Sequence, residues 1–226
     1  MGIHIVRPDG AGPFPVLVFF HHGPGLDQGS KDTMARIAEW GYYVVSHDRY
    51  HRDAAWYVMG SRTDEEVQKM FGLITKTSED LVSDDLGVVL DWLRSDPAAR
   101  GGAMGCVGYC IGARSVLITI GQRGDLFRAG VALHPSFCTT DQPDSPHLGV
   151  PAYTGSLYVG FGADDEMQPA SANGPLIEFT NELDKGEAEI HDGADHGFAV
   201  YGPAYHEAAA ERSYERAKVM FGRELR

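Results

Sequence analysis

Cysteine is scarce in this chain of 226 residues. Cys106, Cys110 and Cys138 are the whole complement, an odd set without disulfide-framework spacing. That excludes a stapled secreted scaffold and fits a reducing cytoplasm, the compartment expected here. Long apolar runs are missing too, and Met1-Gly2-Ile3-His4 has none of the charged and apolar pattern of a secretory leader. A soluble protein with no membrane partner is therefore expected. Basic residues are in deficit, 19 Lys and Arg against 32 Asp and Glu, for a net charge of −13. Nucleic-acid binding needs clustered cations, so no nucleic-acid partner is expected; the acidity does not demand a cationic substrate. Among ten histidines and three cysteines there is no His-Glu-x-x-His and no Cys-x-x-Cys. Neither a metal site nor a cofactor is expected. Repeats, low-complexity tracts and linkers are absent, so residues 1–226 read as a single domain.

What the chain does contain is an alternation of apolar runs and amphipathic stretches. Val16-Leu17-Val18-Phe19-Phe20 is continuous and β-branched or aromatic, as in a strand covered on both faces. Further strands are expected at Ile3–Val6, Tyr42–Ser46, Ala103–Val107, Ala129–Leu133, Ser156–Phe161 and Ala188–His191. Helical stretches are expected between them. One is capped by Ser30 and ends before Gly41; the others lie at Val67–Ile74, Leu81–Leu93, Ala113–Ile120, Leu176–Leu183 and Tyr205–Phe221. His47–Thr63 and His134–Gly149 read as loops. The alternation predicts an α/β fold: a mostly parallel sheet with helices on both faces and ligands bound beyond the carboxyl ends of the strands.

Gly108-Tyr109-Cys110-Ile111-Gly112 stands where one strand turns sharply into a helix. Glycines two residues on either side of a central nucleophile let strand and helix backbones approach and push the central side chain outward. A thiol there sits at a helix N-terminus, whose dipole favours the attacking thiolate. Two other strand ends carry suitable partners, Gly162-Ala163-Asp164-Asp165-Glu166 and Ala194-Asp195-His196-Gly197-Phe198. Taken singly, each reads as an ordinary polar loop. Together, in the order nucleophile, acid, histidine, they follow the layout of α/β-hydrolases.

With these motifs the chain resembles the dienelactone hydrolase family, cysteine-dependent α/β-hydrolases that open lactones and esters. The resemblance runs from about Val16 to Phe221. It implies Cys110 as nucleophile, His196 as base and Asp165, four before Pro169, as acid, with Asp164 the neighbouring alternative. Backbone N–H groups of Gly23 and Ile111 would form the oxyanion hole. His22, Arg62, Tyr50 and Phe198 are placed around the substrate, with His51, Trp56, Tyr57 and His134-Pro135-Ser136 bordering the pocket or playing structural parts. Two departures stand out. His22 takes the place of a glutamate that pairs with the resting thiol, and is read either as a second polariser of the thiol or, the favoured reading, as pocket lining. Val200 replaces an arginine that grips a substrate carboxylate, with Arg62, Arg49 and Arg114 as candidate replacements. Cys106 is expected in the core and Cys138 as a bystander. The early strands of the fold are expected to be short.

The resulting expectation is a cofactor-free hydrolase, monomer or small homo-oligomer, cleaving a small ester or lactone through a thioester acyl-enzyme. The alternatives are thioester hydrolysis or acyl transfer by the same residues, or a catalytically silent small-molecule binder on this scaffold.

Overall fold

Seven strands, all but one parallel, line up in a single sheet in the computed structural model, which describes residues 1–226. They are β1 (Ile3–Val6), β2 (Val16–Phe20), β3 (Tyr43–His47), β4 (Met104–Tyr109), β5 (Phe127–Leu133), β6 (Ser156–Gly162) and β7 (Gly186–His191), ordered β1-β3-β2-β4-β5-β6-β7. The short β1 runs antiparallel to β3 at one edge, and the remaining neighbours are parallel. β2 is buried at every position, which is why its sequence lacks a polar face.

Six helices cover the sheet: α1 (Gln28–Ala38), α2 (Asp64–Lys76), α3 (Glu79–Leu93), α4 (Ile111–Arg123), α5 (Gly174–Glu182) and α6 (Glu207–Glu224). Successive strand residues feed opposite cores. Val16, Val18 and Phe20 pack with Leu86, Val89, Val116 and Leu176 of α3, α4 and α5. Leu17 and Phe19 pack with Met34, Ile37, Tyr214 and Phe221 of α1 and α6. Emptying one such position, as in Leu86→Ala, typically costs about 2–5 kcal/mol.

Helix ends differ from the sequence reading in instructive ways. Ser30 does not cap α1: Asp27 does, its carboxylate accepting from the Ser30 N–H at 2.8 Å, so the helix starts at Gln28. An ionised carboxylate is the stronger acceptor for the orphan N–H groups of a first turn. Thr63 and Ser78 cap α2 and α3, so both start before their apolar stripes do. The loop beginning at His134 includes a 3₁₀ turn over Pro146–Ala152.

From β2 the chain winds outward to β3, then crosses back to place β4 on the other side of β2. The strand order therefore reverses between β2 and β4, the position at which open parallel sheets leave a crevice at their carboxyl ends. The loop after β2 and the turn after β4 flank it. No helix is long and apolar enough to cross a membrane.

Candidate active site

Cys110 occupies the N-cap position of α4 with φ 55° and ψ −117°, a backbone geometry that costs a non-glycine residue about 1–3 kcal/mol. Its flanking glycines permit the turn. A Cβ on Gly108 would lie 2.1 Å from the Gly112 carbonyl oxygen, and one on Gly112 would lie 2.1 Å from the Phe20 carbonyl oxygen. The half-buried thiol consequently projects from the turn at the head of the helix.

Loops after β6 and β7 are stitched together by Ala163 N–H to His191 C=O and Asp164 N–H to Ala194 C=O, both 2.9 Å. This brings Asp165 to His196: Oδ2 lies 2.7 Å from Nδ1. The other carboxylate oxygen accepts the Gln168 N–H at 2.8 Å. Asp165 is buried, whereas Asp164 is exposed and turns away, so of the two only Asp165 touches the imidazole. On the far side of the ring, Nε2 lies 3.4 Å from Ser136 Oγ, which lies 3.3 Å from Cys110 Sγ. Burial pushes the Cys110 thiol up, but the hydrogen bond and charge of His196 outweigh it, joined by Ser136 and the Gly23 N–H, and the thiol falls to about 6. Burial likewise opposes charge on His196, yet Asp165 and the sulfur together raise it to about 10. Each group thus favours the charged form of the other, the thiol shifted down and the imidazole up.

A second set of contacts orients the loop after β2. The His22 carbonyl accepts from the Gly25 N–H at 3.1 Å and from His21 Nδ1 at 2.8 Å. A carbonyl only accepts, so His21 carries its proton on Nδ1, and Nε2 is free to accept the Arg49 N–H at 3.3 Å. Burial holds His21 neutral, down to about 3, consistent with that tautomer. In a trans peptide the N–H opposes the C=O. With the His22 carbonyl held from behind, the Gly23 N–H faces the Cys110 sulfur. The Ile111 N–H, first in α4, has no intrahelical partner. The sulfur opens into the space between the loops after β2 and β7.

That space is a cleft of ≈ 380 Å³ whose walls include Cys110, His196, His134, His22, Arg62 and Val200. His22 Nε2 lies 3.1 Å from Asp27 Oδ2, close but not aligned as a hydrogen bond. Although burial opposes it, that contact and the Ser30 N–H bring Asp27 down to about 2. His22 therefore lines the cleft facing a carboxylate. Arg62, exposed and without an ion-pair partner, is the only arginine or lysine on the walls. A second hollow of ≈ 460 Å³ lies beyond Ile111, bounded by Phe71, Arg114 and Phe137, and neither Cys110 nor His196 opens into it.

Several expected wall residues lie elsewhere. Tyr50 is buried behind the loop, its hydroxyl donating to the Gly23 carbonyl at 2.9 Å, so it braces the loop and does not reach the cleft. Phe198 is fully buried, packed on the His134 and His191 rings one layer behind the walls. Arg49 is consumed in a buried cluster with Glu79 at 2.6 Å and Ser115 at 2.9 Å. Arg114 donates to the Phe137 carbonyl and lies in the second hollow. His51 pairs with Asp85, Trp56 is exposed outside the cleft, and Tyr57 packs on Tyr50. Cys106 and Cys138 are fully buried, and burial raises both thiols. Ser136 and His21 carry contacts that no motif announced. The sequence signal was adjacency alone, Ser136 standing three residues past β5 and His21 directly after β2.

A mostly parallel sheet, helices on both faces and a strand–turn–helix elbow at the strand-order reversal define the α/β-hydrolase fold. A solved chain from Klebsiella pneumoniae subsp. pneumoniae MGH 78578, provisionally described as a dienelactone hydrolase, superposes with TM-score 0.82 at 21% identity, covering 97% of this chain and 92% of the other. Dienelactone hydrolase from Anabaena variabilis ATCC 29413 gives 0.69 at 18% identity, covering 99% and 92%. These likenesses establish the fold. The chain belongs to the dienelactone hydrolase family, whose model matches residues 1–225. A Synechocystis sp. protein provisionally named carboxymethylenebutenolidase is 24% identical over 234 residues, covering 99% of this chain and 92% of that one. The carboxymethylenebutenolidase of Pseudomonas putida is 25% identical over 169 residues, covering 69% and 71%. The protein is accordingly a hydrolase of the ester- and lactone-cleaving kind.

Proposed function

We propose that the protein hydrolyses a small ester or lactone through Cys110, His196 and Asp165, by way of a thioester on Cys110. One observation carries this reading. The aspartate touches the imidazole, the imidazole faces the sulfur, and their mutual influence favours the thiolate–imidazolium pair. The thiolate attacks the carbonyl carbon, forming the S–C bond while the carbonyl π electrons move to oxygen. The resulting oxyanion receives hydrogen bonds from Gly23 and Ile111, whose loss would cost about 3 kcal/mol each. Collapse expels the alkoxide, which takes the proton from His196 Nε2; in a lactone the freed hydroxyl stays tethered to the acyl group. The neutral imidazole then deprotonates water, hydroxide adds to the thioester, and the thiolate departs. Asp165 holds the Nδ1 proton throughout and keeps the ring in one orientation. Water is the only co-reactant that this sequence requires.

The cleft volume suits a small molecule. Arg62 at its rim supports an anionic group on the substrate away from the scissile bond, as the name carboxymethylenebutenolidase implies for the relatives' lactone. The test is hydrolysis of a chromogenic short-chain ester and of a carboxylate-bearing lactone, before and after iodoacetamide. Turnover that alkylation and Cys110→Ala both abolish supports the reading. Turnover indifferent to both would refute it, and lactone binding without turnover would favour a silent scaffold.

A further inference from the structure

Beside the sulfur and the imidazole stands a hydroxyl that the triad does not use. Ser136 Oγ lies 3.3 Å from Cys110 Sγ and 3.4 Å from His196 Nε2, and the side chain is 2% exposed. Its place is fixed by more than its rotamer. The Ser136 N–H donates to the Cys110 carbonyl at 3.1 Å, tying the end of β5 to the elbow after β4. Nearby residues are held in left-handed backbone geometry, His134 at φ 39° and Phe137 at φ 55°. Strain persists where the surroundings impose it, and it clusters at working sites. Here it delivers one hydroxyl within reach of both the sulfur and the ring nitrogen.

A hydroxyl has one proton to give and lone pairs to receive. In the thiolate–imidazolium state the hydroxyl proton has the anionic sulfur as its acceptor, while the Oγ lone pairs can receive Nε2–H, which also faces the sulfur. We infer that Ser136 is a further catalytic residue, its hydroxyl bridging Nε2–H and the sulfur and stabilising the thiolate both at rest and when it leaves the thioester. Both contacts are long, as hydrogen bonds in unliganded sites often are before substrate tightens them. The hydroxyl is among the groups that hold the thiol low. This inference rests on the proposed thiolate chemistry.

The ionisable groups around the pair are His134, Tyr50, Cys138 and His22. Burial keeps His134 neutral by lowering it well below its ordinary value, and raises Tyr50 and Cys138. His22 faces Asp27.

Alkylation of Cys110 by iodoacetamide, followed against pH, tests the hydroxyl without any substrate. Ser136→Ala should move the inflection upward by about one pH unit, the size expected for loss of a hydrogen bond to a charged group. It should also lower kcat for a chromogenic ester about tenfold with KM little changed. Ser136→Thr and Ser136→Val form a matched pair of nearly equal shape, and they decide the matter should the alanine variant fail to fold. Threonine should keep the wild-type inflection, and valine should follow alanine. An inflection that stays in place in the alanine or valine variant overturns the inference, whatever kcat does. Absence of ester turnover in the unaltered protein would count against the proposed function and leave the inflection to decide Ser136 alone.

Discussion

Replacing His196 by alanine removes the positive partner of the Cys110 sulfur, and the consequence can be worked through from the contacts described. Burial pushes the thiol up; the imidazole does most to bring it down to about 6 from an ordinary 9. At pH 7 a group at about 6 is roughly ten-to-one thiolate, whereas one returned to 9 is about 1% thiolate. The three units between them correspond to about 4 kcal/mol of differential stabilisation. Second-order alkylation by iodoacetamide at pH 7 should therefore fall about a hundredfold in His196→Ala, and its pH inflection should move from about 6 to 9 or higher. Turnover should fall further, because the leaving alkoxide loses its proton donor as well. In the unaltered protein, kcat/KM should rise with pH through about 6 as the thiolate forms. It should hold a plateau and decline through about 10, where His196 gives up the proton needed by the leaving group. An alkylation profile identical in wild type and His196→Ala would refute the reasoning, and would place control of the thiol with groups other than the imidazole.

Other substitutions probe separate parts of the arrangement. Asp165→Asn removes the carboxylate at His196 Nδ1 while preserving shape, so kcat should drop about 10³–10⁴-fold with an unchanged melting curve; a loss below tenfold would mean the imidazole is oriented by something else. Gly112→Ala drives a Cβ against the Phe20 carbonyl oxygen, a backbone atom that cannot swing aside, and should cost about 3 kcal/mol, read as a Tm lowered by roughly 10 °C. A melting point within a degree of wild type would show that the elbow has slack. Arg62→Ala should raise KM about threefold for a carboxylate-bearing lactone and leave a neutral ester unaffected, and equal effects on both would remove Arg62 from recognition of charge.

The alternation of strands and helices was legible because β2, β4 and β6 carry continuous apolar runs with glycine punctuation. The elbow was legible because two glycines at fixed spacing have a steric reason to be there. Helix starts were less so. The first turns of α2 and α3 are polar, so periodicity alone begins at Val67 and Leu81, while the caps Thr63 and Ser78 set the actual ends. Wall residues were read least well. Tyr50 and Phe198 are large and near the motifs in sequence, yet which side of a loop an aromatic ring occupies depends on packing with distant elements. Arg49 illustrates the same point: its partners Glu79 and Ser115 lie 30 and 66 positions away, and nothing in its neighbourhood announces them. Ser136 was read only as part of a stretch that borders the pocket or plays a structural part, because serine in a polar loop is common; its contacts with the sulfur and the imidazole depend on the left-handed backbone around it.

The fastening of the His22 carbonyl has a consequence for how the protein meets its ligand. Gly25, His21 and, through His21, the backbone of Arg49 set the direction of the Gly23 amide during folding, and the same arginine anchors α3 and α4 through Glu79 and Ser115. Dipoles fixed in advance need no reorganisation when negative charge appears before them. Under the proposed mechanism, recognition of the developing oxyanion would thus be built into the junction between two halves of the sheet. A disturbance as remote as Glu79 would be felt as misalignment of a single N–H.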